Sequence, residues 1–533
     1  MMHMIPQKSL KREENRQIQR GLRRNGPVTS VKSPLNLWLK RLVVTAALLV
    51  VWGMSIPGFA YNLADKVREF TLENGLKILV VERHASPTVS LYISHRVGAA
   101  NEISGHTGIA HFLEHLRFKG TKTIGTRDYQ QEKEVLHKIH ETGDALDREV
   151  IKGDNADPQK MRDLRTRLES LQQEAATKWS IPGEIDRLYT EHGGGDLNAF
   201  TSQDMTTYHV SLPANKIELW ARIEADRMAN PVFREFYSER DVILEERKQR
   251  VASDPRGKLM EHFLAAAFLA HPYRRPILGW PSDMRFLDIK TISDFFNTYY
   301  IPGNTVITVV GDVSSSTVVE IIGRYFGPFP SGAIPERRIT EEPPQTGERR
   351  AEVVFDAAPR IIIGYHKPTL PSFDDCVFDV IDTILSGGRT SRLFKSLVKE
   401  KGIAASVSTA NGYPGSRHHN LFVIFAEPVS PHTTADLETA IYEEVDRLKR
   451  EPVESQELEK AKNQLKADLL RNLATNSGLA GMLSYYEIVA GDWRYISTFL
   501  DLVEKVTPED IMAAADTYLT RQNRTVATLV KDK

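Results

Sequence analysis

Beyond residue 66 the chain alternates between two hydrophobic rhythms. β-rich runs at 68–71, 77–81 and 88–94, with the turn pair Asn74-Gly75 between the first two, predict neighbouring strands of one sheet. After Gly105 and Gly108 the spacing lengthens. Ile109, Phe112, Leu113 and Leu116 recur at three and four residues, the apolar stripe of a helix. Between Gln131 and His192 two stripes, Leu136, Ile139, Leu146, Val150 and Met161, Leu164, Leu168, Leu171, Ala175, flank a break at 153–158. That pattern predicts an antiparallel helical hairpin with charged, solvated outer positions. Strand character returns at 197–213, helices are predicted at 215–228 and 235–251, and 306–311 reads as a short buried strand.

Pro328, Pro330, Pro335, Pro343 and Pro344 sit among charges at 327–350 and mark an interdomain linker. A second unit from 351 to 533 loosely repeats the first, with a hairpin-like opening at 353–365 and a helix at 377–385. The predicted class is α+β: two related α/β-roll-like halves, 61–326 and 351–533, each a mainly antiparallel sheet with helices on one face.

Composition narrows the chemistry. The 533 residues are 41% hydrophobic and 26% charged, the balance of a chain with more than one globular domain. A net charge of −1 gives no electrostatic basis for binding nucleic acid. One cysteine, Cys376, excludes an intrachain disulfide and a Cys-rich metal site, so any metal must sit on histidine and carboxylate. Residues 1–60 read as a tail and secretory signal. Lys40 and Arg41 precede an apolar run at 42–54, and Pro57, Gly58, Phe59 and Ala60 follow it. The run is shorter than the ~20 residues of a spanning helix. Export to the periplasm with cleavage after Ala60 is expected, and an inner-membrane anchor formed by residues 42–56 is the alternative.

His111 and His115, four apart on the predicted helix, turn two imidazoles toward one point, a pair suited to zinc. Glu114 stands on the flank of that face, where it can act as general base for a zinc-activated water. This is the inverted zincin pattern His-x-x-Glu-His, and its third ligand must come from elsewhere.

The string Gly-Ile-Ala-His-Phe-Leu-Glu-His-Leu-Arg-Phe-Lys-Gly-Thr at 108–121 resembles the zinc helix of the pitrilysin, insulin-degrading enzyme and mitochondrial processing peptidase family. So do Leu197 to Thr201 with Thr207-Tyr208, Glu239 to Glu246, Tyr300 to Asn304 with Gly311-Asp312, and Gly387-Gly388 with Ser391 to Phe394. The resemblance implies a zinc metalloendopeptidase with one zinc per chain. It implies Glu246 as third ligand and Glu239, about two helical turns earlier, as the carboxylate supporting the site, with Glu245 the competing ligand. The gap from His115 to Glu246 is longer than the family's, and the segment 131–192 is read as an insertion that leaves the ligands intact. Peptide substrate is expected to lie as an added strand along Asn198, Ala199 and Phe200; the plainer alternative is an edge strand with no such role. The family's arginine and tyrosine, seven residues apart in the second half, are replaced by Val398 and Ala405, which have no side-chain donor. The chain therefore resembles the zinc-bearing half of a two-chain enzyme, whose partner is a homologous zinc-less subunit carrying that pair. The rival is a weakly active or inactive member that acts in binding or assembly.

Overall fold

The computed structural model describes residues 63–336 and 339–531; the expected tail and secretory signal at 1–60 lie outside them. Residues from Ala64 onward pack as one unit built on two sheets. The first comprises β1 (Val67–Thr71), β2 (Lys77–Glu82), β3 (Thr88–His95), β4 (Gly195–Thr201), β5 (Thr206–Pro213) and β6 (Thr305–Gly311), in the order β1-β2-β6-β3-β5-β4. Neighbours run antiparallel except β2 and β6, which are parallel. β6, Thr-Val-Ile-Thr-Val-Val-Gly, is buried at every position, as befits a central strand covered on both faces. The expectation that the first three strands are neighbours needs correction: β1 and β2 form a hairpin, but β6 separates β2 from β3.

The motif helix α1 (Ile109–Leu116) buries its predicted stripe, Ile109, Phe112, Leu113 and Leu116, in the core of this half. Its N-terminus is fixed by Gly108 at φ 88°, and a Cβ there would stand 2.5 Å from Met284 Cε. The buried Glu102 carboxylate accepts hydrogen bonds from Gly108 N at 2.8 Å and Ala110 N at 3.0 Å, occupying N–H groups the helix leaves free.

The helical hairpin is present as α2 (Tyr129–Val150) and α3 (Pro158–Glu174), with Asp128 and Asp157 capping their N-termini. It is no free-standing appendage. Val135, Leu136, Ile139 and Leu168 join the core of the first half, and α2 lies along α4 (Phe236–Arg247), the helix carrying Glu239 and Glu246. Tyr237 Oη donates within reach of His140 O and Asp144 Oδ1, both at 3.1 Å. The Arg240 guanidinium grips both Asp147 oxygens at 2.7 and 3.0 Å. A Cβ at Gly143 would stand 2.0 Å from the Tyr237 ring, so glycine is required for this approach. At the hairpin base Glu132, fully buried, holds Arg234 through bonds of 2.7 and 2.8 Å. Breaking a buried pair strands the remaining charge. Glu132→Ala is therefore expected to lower unfolding stability by about 3–5 kcal/mol in urea titration; an unchanged midpoint would mean the base of the hairpin does not anchor it.

From the second half, α5 (Asn476–Val489) crosses β3 and β6 of the first sheet. Ser484 bonds Thr308 at 2.8 Å, Tyr92 Oη meets Ser477 Oγ at 2.8 Å, and the buried Glu487 carboxylate pairs with Lys77 and Arg96, each at 2.8 Å. The second sheet comprises β7 (Arg349–Val354), β8 (Arg360–Lys367), β9 (Ala404–Tyr413), β10 (Asn420–Pro428) and β11 (Arg524–Val530), in the order β7-β11-β8-β10-β9. β7 and β11 are parallel and the other pairs antiparallel. Pair by pair this repeats β2-β6-β3-β5-β4 in order and sense. The hairpin expected at 353–365 is not formed, because β11 separates β7 from β8. In both halves a strand late in sequence takes a central place, which a local reading of hydrophobic runs cannot foresee.

Candidate metal centre

α1 and α4 meet so that three donors converge. His111, His115 and Glu246 each present a ligand atom within 4.8 Å of the others. Glu246 Oε2 stands 3.9 Å from His111 Nε2 and 3.7 Å from His115 Nε2, and the rings tilt by 58° with centroids 4.8 Å apart. A tetrahedral centre with bonds of about 2.0–2.1 Å spaces its donors roughly 3.4 Å apart. The two distances from Glu246 exceed that by only a few tenths of an ångström, and two imidazoles with one carboxylate form a donor set suited to zinc with an open position. Burial drives the pKa of His111 down to about 3, which keeps the ring neutral and its lone pair available. Its Nδ1, the ring nitrogen other than the one facing Glu246, is buried without a hydrogen-bond partner among the described residues. Glu245 is exposed and sits beside Lys248 at 3.3 Å, on a different side of α4 from the cluster.

Glu239 lies behind His115, its Oε2 3.2 Å from Nδ1. That contact holds the proton on Nδ1 and leaves Nε2 facing Glu246. The other Glu239 oxygen meets Lys119 Nζ at 2.5 Å. Burial alone would raise the Glu239 pKa, but bonds from His115 and Lys119 outweigh it and hold the carboxyl below its ordinary value. Against the burial that would lower it, the Glu239 bond and the surrounding carboxylates raise the pKa of His115.

Glu114 is buried one residue before His115, and burial raises its pKa against the hydrogen bond of 2.5 Å that it accepts from Thr201 Oγ1. Thr201 ends β4, the edge of the first sheet. Asn198, Ala199 and Phe200 on that strand pair with His209, Tyr208 and Thr207 of β5. Ala199 N donates to the side chain of Asn198 at 2.9 Å. In the second half Val398 is half-buried and Ala405 exposed; of the lysines beside them, Lys401 pairs with Glu443 and Lys399 lies 6.0 Å from the Phe394 ring centre.

Three residues of the site have no role that the sequence alone assigns. Lys119 and Thr201 lie inside the strings that resemble the family but are neither ligand nor base types. Arg250, 2.9 Å from Glu246 Oε1, is open to recognition only through its i, i+4 spacing from Glu246.

Residues 77–139 and 168–280 match the model described as insulinase, peptidase family M16, and residues 287–465 match that of the peptidase M16 inactive domain. The first match skips the outer part of the helical hairpin. Over 493 residues the chain is 28% identical to the zinc protease PqqE of Helicobacter pylori, covering 90% of this chain and 96% of that protein. A crystal structure of a protease from Helicobacter pylori superposes with a TM-score of 0.73 at 26% identity, covering 87% of this chain and 99% of that one. In fold alone, at 16% identity and a TM-score of 0.65, the periplasmic protease PqqL from Escherichia coli is similar over 87% of this chain, which spans 48% of that longer chain. With a family match in each half and the same two-halved fold, this chain belongs to peptidase family M16, the insulinase and pitrilysin-like peptidases.

Proposed function

We propose that the chain is an exported zinc metalloendopeptidase in which His111, His115 and Glu246 hold the metal and Glu114 is the general base. The observation that carries this reading is the convergence of two imidazole Nε2 atoms and one carboxylate beside a buried glutamate fixed by Thr201. When bound, zinc supplies Lewis acidity toward the scissile carbonyl and the attacking water. Glu114 takes the proton from that water and returns it to the departing amine, a shuttle favoured by the raised pKa of its buried carboxyl. Glu239 orients His115 and is itself held by Lys119. The open edge of β4 at Asn198, Ala199 and Phe200 receives an extended peptide by backbone pairing, which selects for unfolded or flexible segments more than for sequence. Export rests on the basic-apolar-small pattern of residues 40–60.

The lack of donors at Val398 and Ala405 supports a division of labour, with a homologous zinc-less subunit completing the site. The size relation to the longer PqqL chain, about twice this one over the same fold, agrees with such a pairing.

Metal analysis tests the ligand assignment. The purified chain is expected to bind one zinc, to lose it in His111→Ala, His115→Ala and Glu246→Gln, and to keep it in Glu245→Gln. Glu239→Gln is expected to weaken zinc affinity by about 10–100-fold without removing a ligand. Full occupancy in Glu246→Gln with loss in Glu245→Gln would reverse the choice of carboxylate.

A further inference from the structure

The turn that joins β4 to β5, Ser202 to Met205, is buried, although hairpin turns ordinarily lie at the surface. Ala99 N and Ala100 N donate to the carbonyls of Ser202 and Gln203 at 3.0 and 2.9 Å. The other side of the turn is held by the second half together with Tyr273 of the first. Asp204 Oδ2 accepts from Ser416 N at 2.8 Å and Arg417 N at 3.2 Å, while Asp204 Oδ1 accepts from Tyr273 Oη at 2.6 Å. Tyr273 Oη in turn accepts from Arg417 N and His418 N, both at 3.3 Å. Gly415 makes the approach possible, since a Cβ there would stand 2.5 Å from Asp204 Oδ2 and 2.7 Å from Tyr273 Oη.

The loop holding Asp204 joins β9 to β10, and those strands occupy in the second sheet the places of β4 and β5 in the first. Equivalent turns of the two halves therefore meet, and the carboxylate is supplied by only one of them. At the other end of β4 the second half touches again. Asp196, at φ 57° beside the irregularity between Gly195 and Asn198, accepts from Ser477 Oγ of α5 at 3.2 Å. The strand that offers its open edge, and ends on the Thr201 that holds Glu114, is thus tied to the second half before and after the residues that would bind peptide.

We propose that the second half, which lacks the metal motif, acts within this chain as a clamp on the substrate strand β4, with Asp204 as its principal positioning residue and Asp196 as a weaker one. The inference rests on the reading of β4 as the peptide-binding edge. Strand addition requires an edge held straight and in register before the peptide arrives, because a floppy edge must be ordered at the expense of binding. A buried carboxylate that accepts from two backbone donors of the second half is a strong tie, and hydrogen bonds to charged groups exceed neutral ones. Asparagine would be a poor substitute at this position, since its amide nitrogen would oppose donors that now find a carboxylate oxygen.

The test uses the full zinc-loaded protein, with any partner it needs for turnover, and the variants Asp204→Asn and Gly415→Ala, which disturb the tie from opposite sides. Hydrogen exchange of amides 197–205 is expected to quicken by about tenfold or more in both variants while α1 amides and zinc content stay unchanged. KM for an unfolded peptide is expected to rise by about tenfold with a smaller fall in kcat. Unchanged exchange at 197–205 in both variants, or an equal rise through α1, would overturn the clamp. Local loosening with unaltered KM would overturn its role in substrate binding. A wild-type protein that neither binds nor cleaves peptide, while the variants still loosen β4 locally, would remove the peptidase reading and leave the clamp standing.

Discussion

Glu114→Gln is expected to keep its zinc and lose its hydrolysis, with turnover falling by ~10²–10⁴. Glutamine preserves the volume of the side chain and can still accept the 2.5 Å hydrogen bond from Thr201, so the packing of α1 has no reason to change. What disappears is the carboxylate proposed to take a proton and return it. Three observations separate this position from an ordinary buried glutamate. It shares the motif helix with His111 and His115, burial raises its pKa, and it accepts a hydrogen bond from Thr201 at the end of the edge strand β4. Zinc content and peptide cleavage are measured on the same preparation. Turnover near that of the wild type with metal in place would remove Glu114 from the mechanism, whereas loss of metal would place it among the ligands.

The isolated chain is expected to cleave peptides poorly and to gain activity when mixed with a homologous subunit that carries the arginine and tyrosine. Each oxyanion donor removed from a hydrolase costs ~10²–10³ in turnover, and this chain offers no side-chain donor at either Val398 or Ala405. The neighbouring lysines do not replace them: Lys401 is engaged by Glu443, and Lys399 lies on the exposed surface near Phe394. Cleavage by the pure chain is compared with the mixture, and the complex is sized. A pure chain, free of partner, that turns over as fast as any mixture would end the two-chain reading and require another oxyanion donor among its own residues.

The convergence of His111 and His115 was legible because the two lie about one helical turn apart with Glu114 between them, where spacing alone fixes direction. Glu246 was harder. Its distance along the chain is bridged by folding, and only the resemblance separated it from Glu245; in the structure the two diverge, one toward the histidines and one toward Lys248. The strands were legible as segments but not as neighbours. Hydrophobic alternation reports burial, whereas the insertion of β6 and β11 depends on pairing between distant parts of the chain. The hairpin was legible as two helices, yet its packing along α4 was not, because the four-residue spacing of Gly143 and Asp147 and the three-residue spacing of Tyr237 and Arg240 mark a face on each helix without naming the helix it meets. The link from Asp204 to Ser416 and Arg417 was invisible for the same reason, since two of its three donors are backbone groups.

The late central strands also set an order of assembly. A ribosome that has released β1 to β5 has not yet made β6, so β2 and β3 wait without the partner that both require. β7 and β8 wait in the same way for β11, almost at the end of the chain. Even a finished first sheet keeps one face uncovered until α5 emerges. Such long-range pairing slows folding and keeps strand edges exposed during synthesis. In each half, therefore, the sheet of the nascent chain can close only when its late central strand arrives.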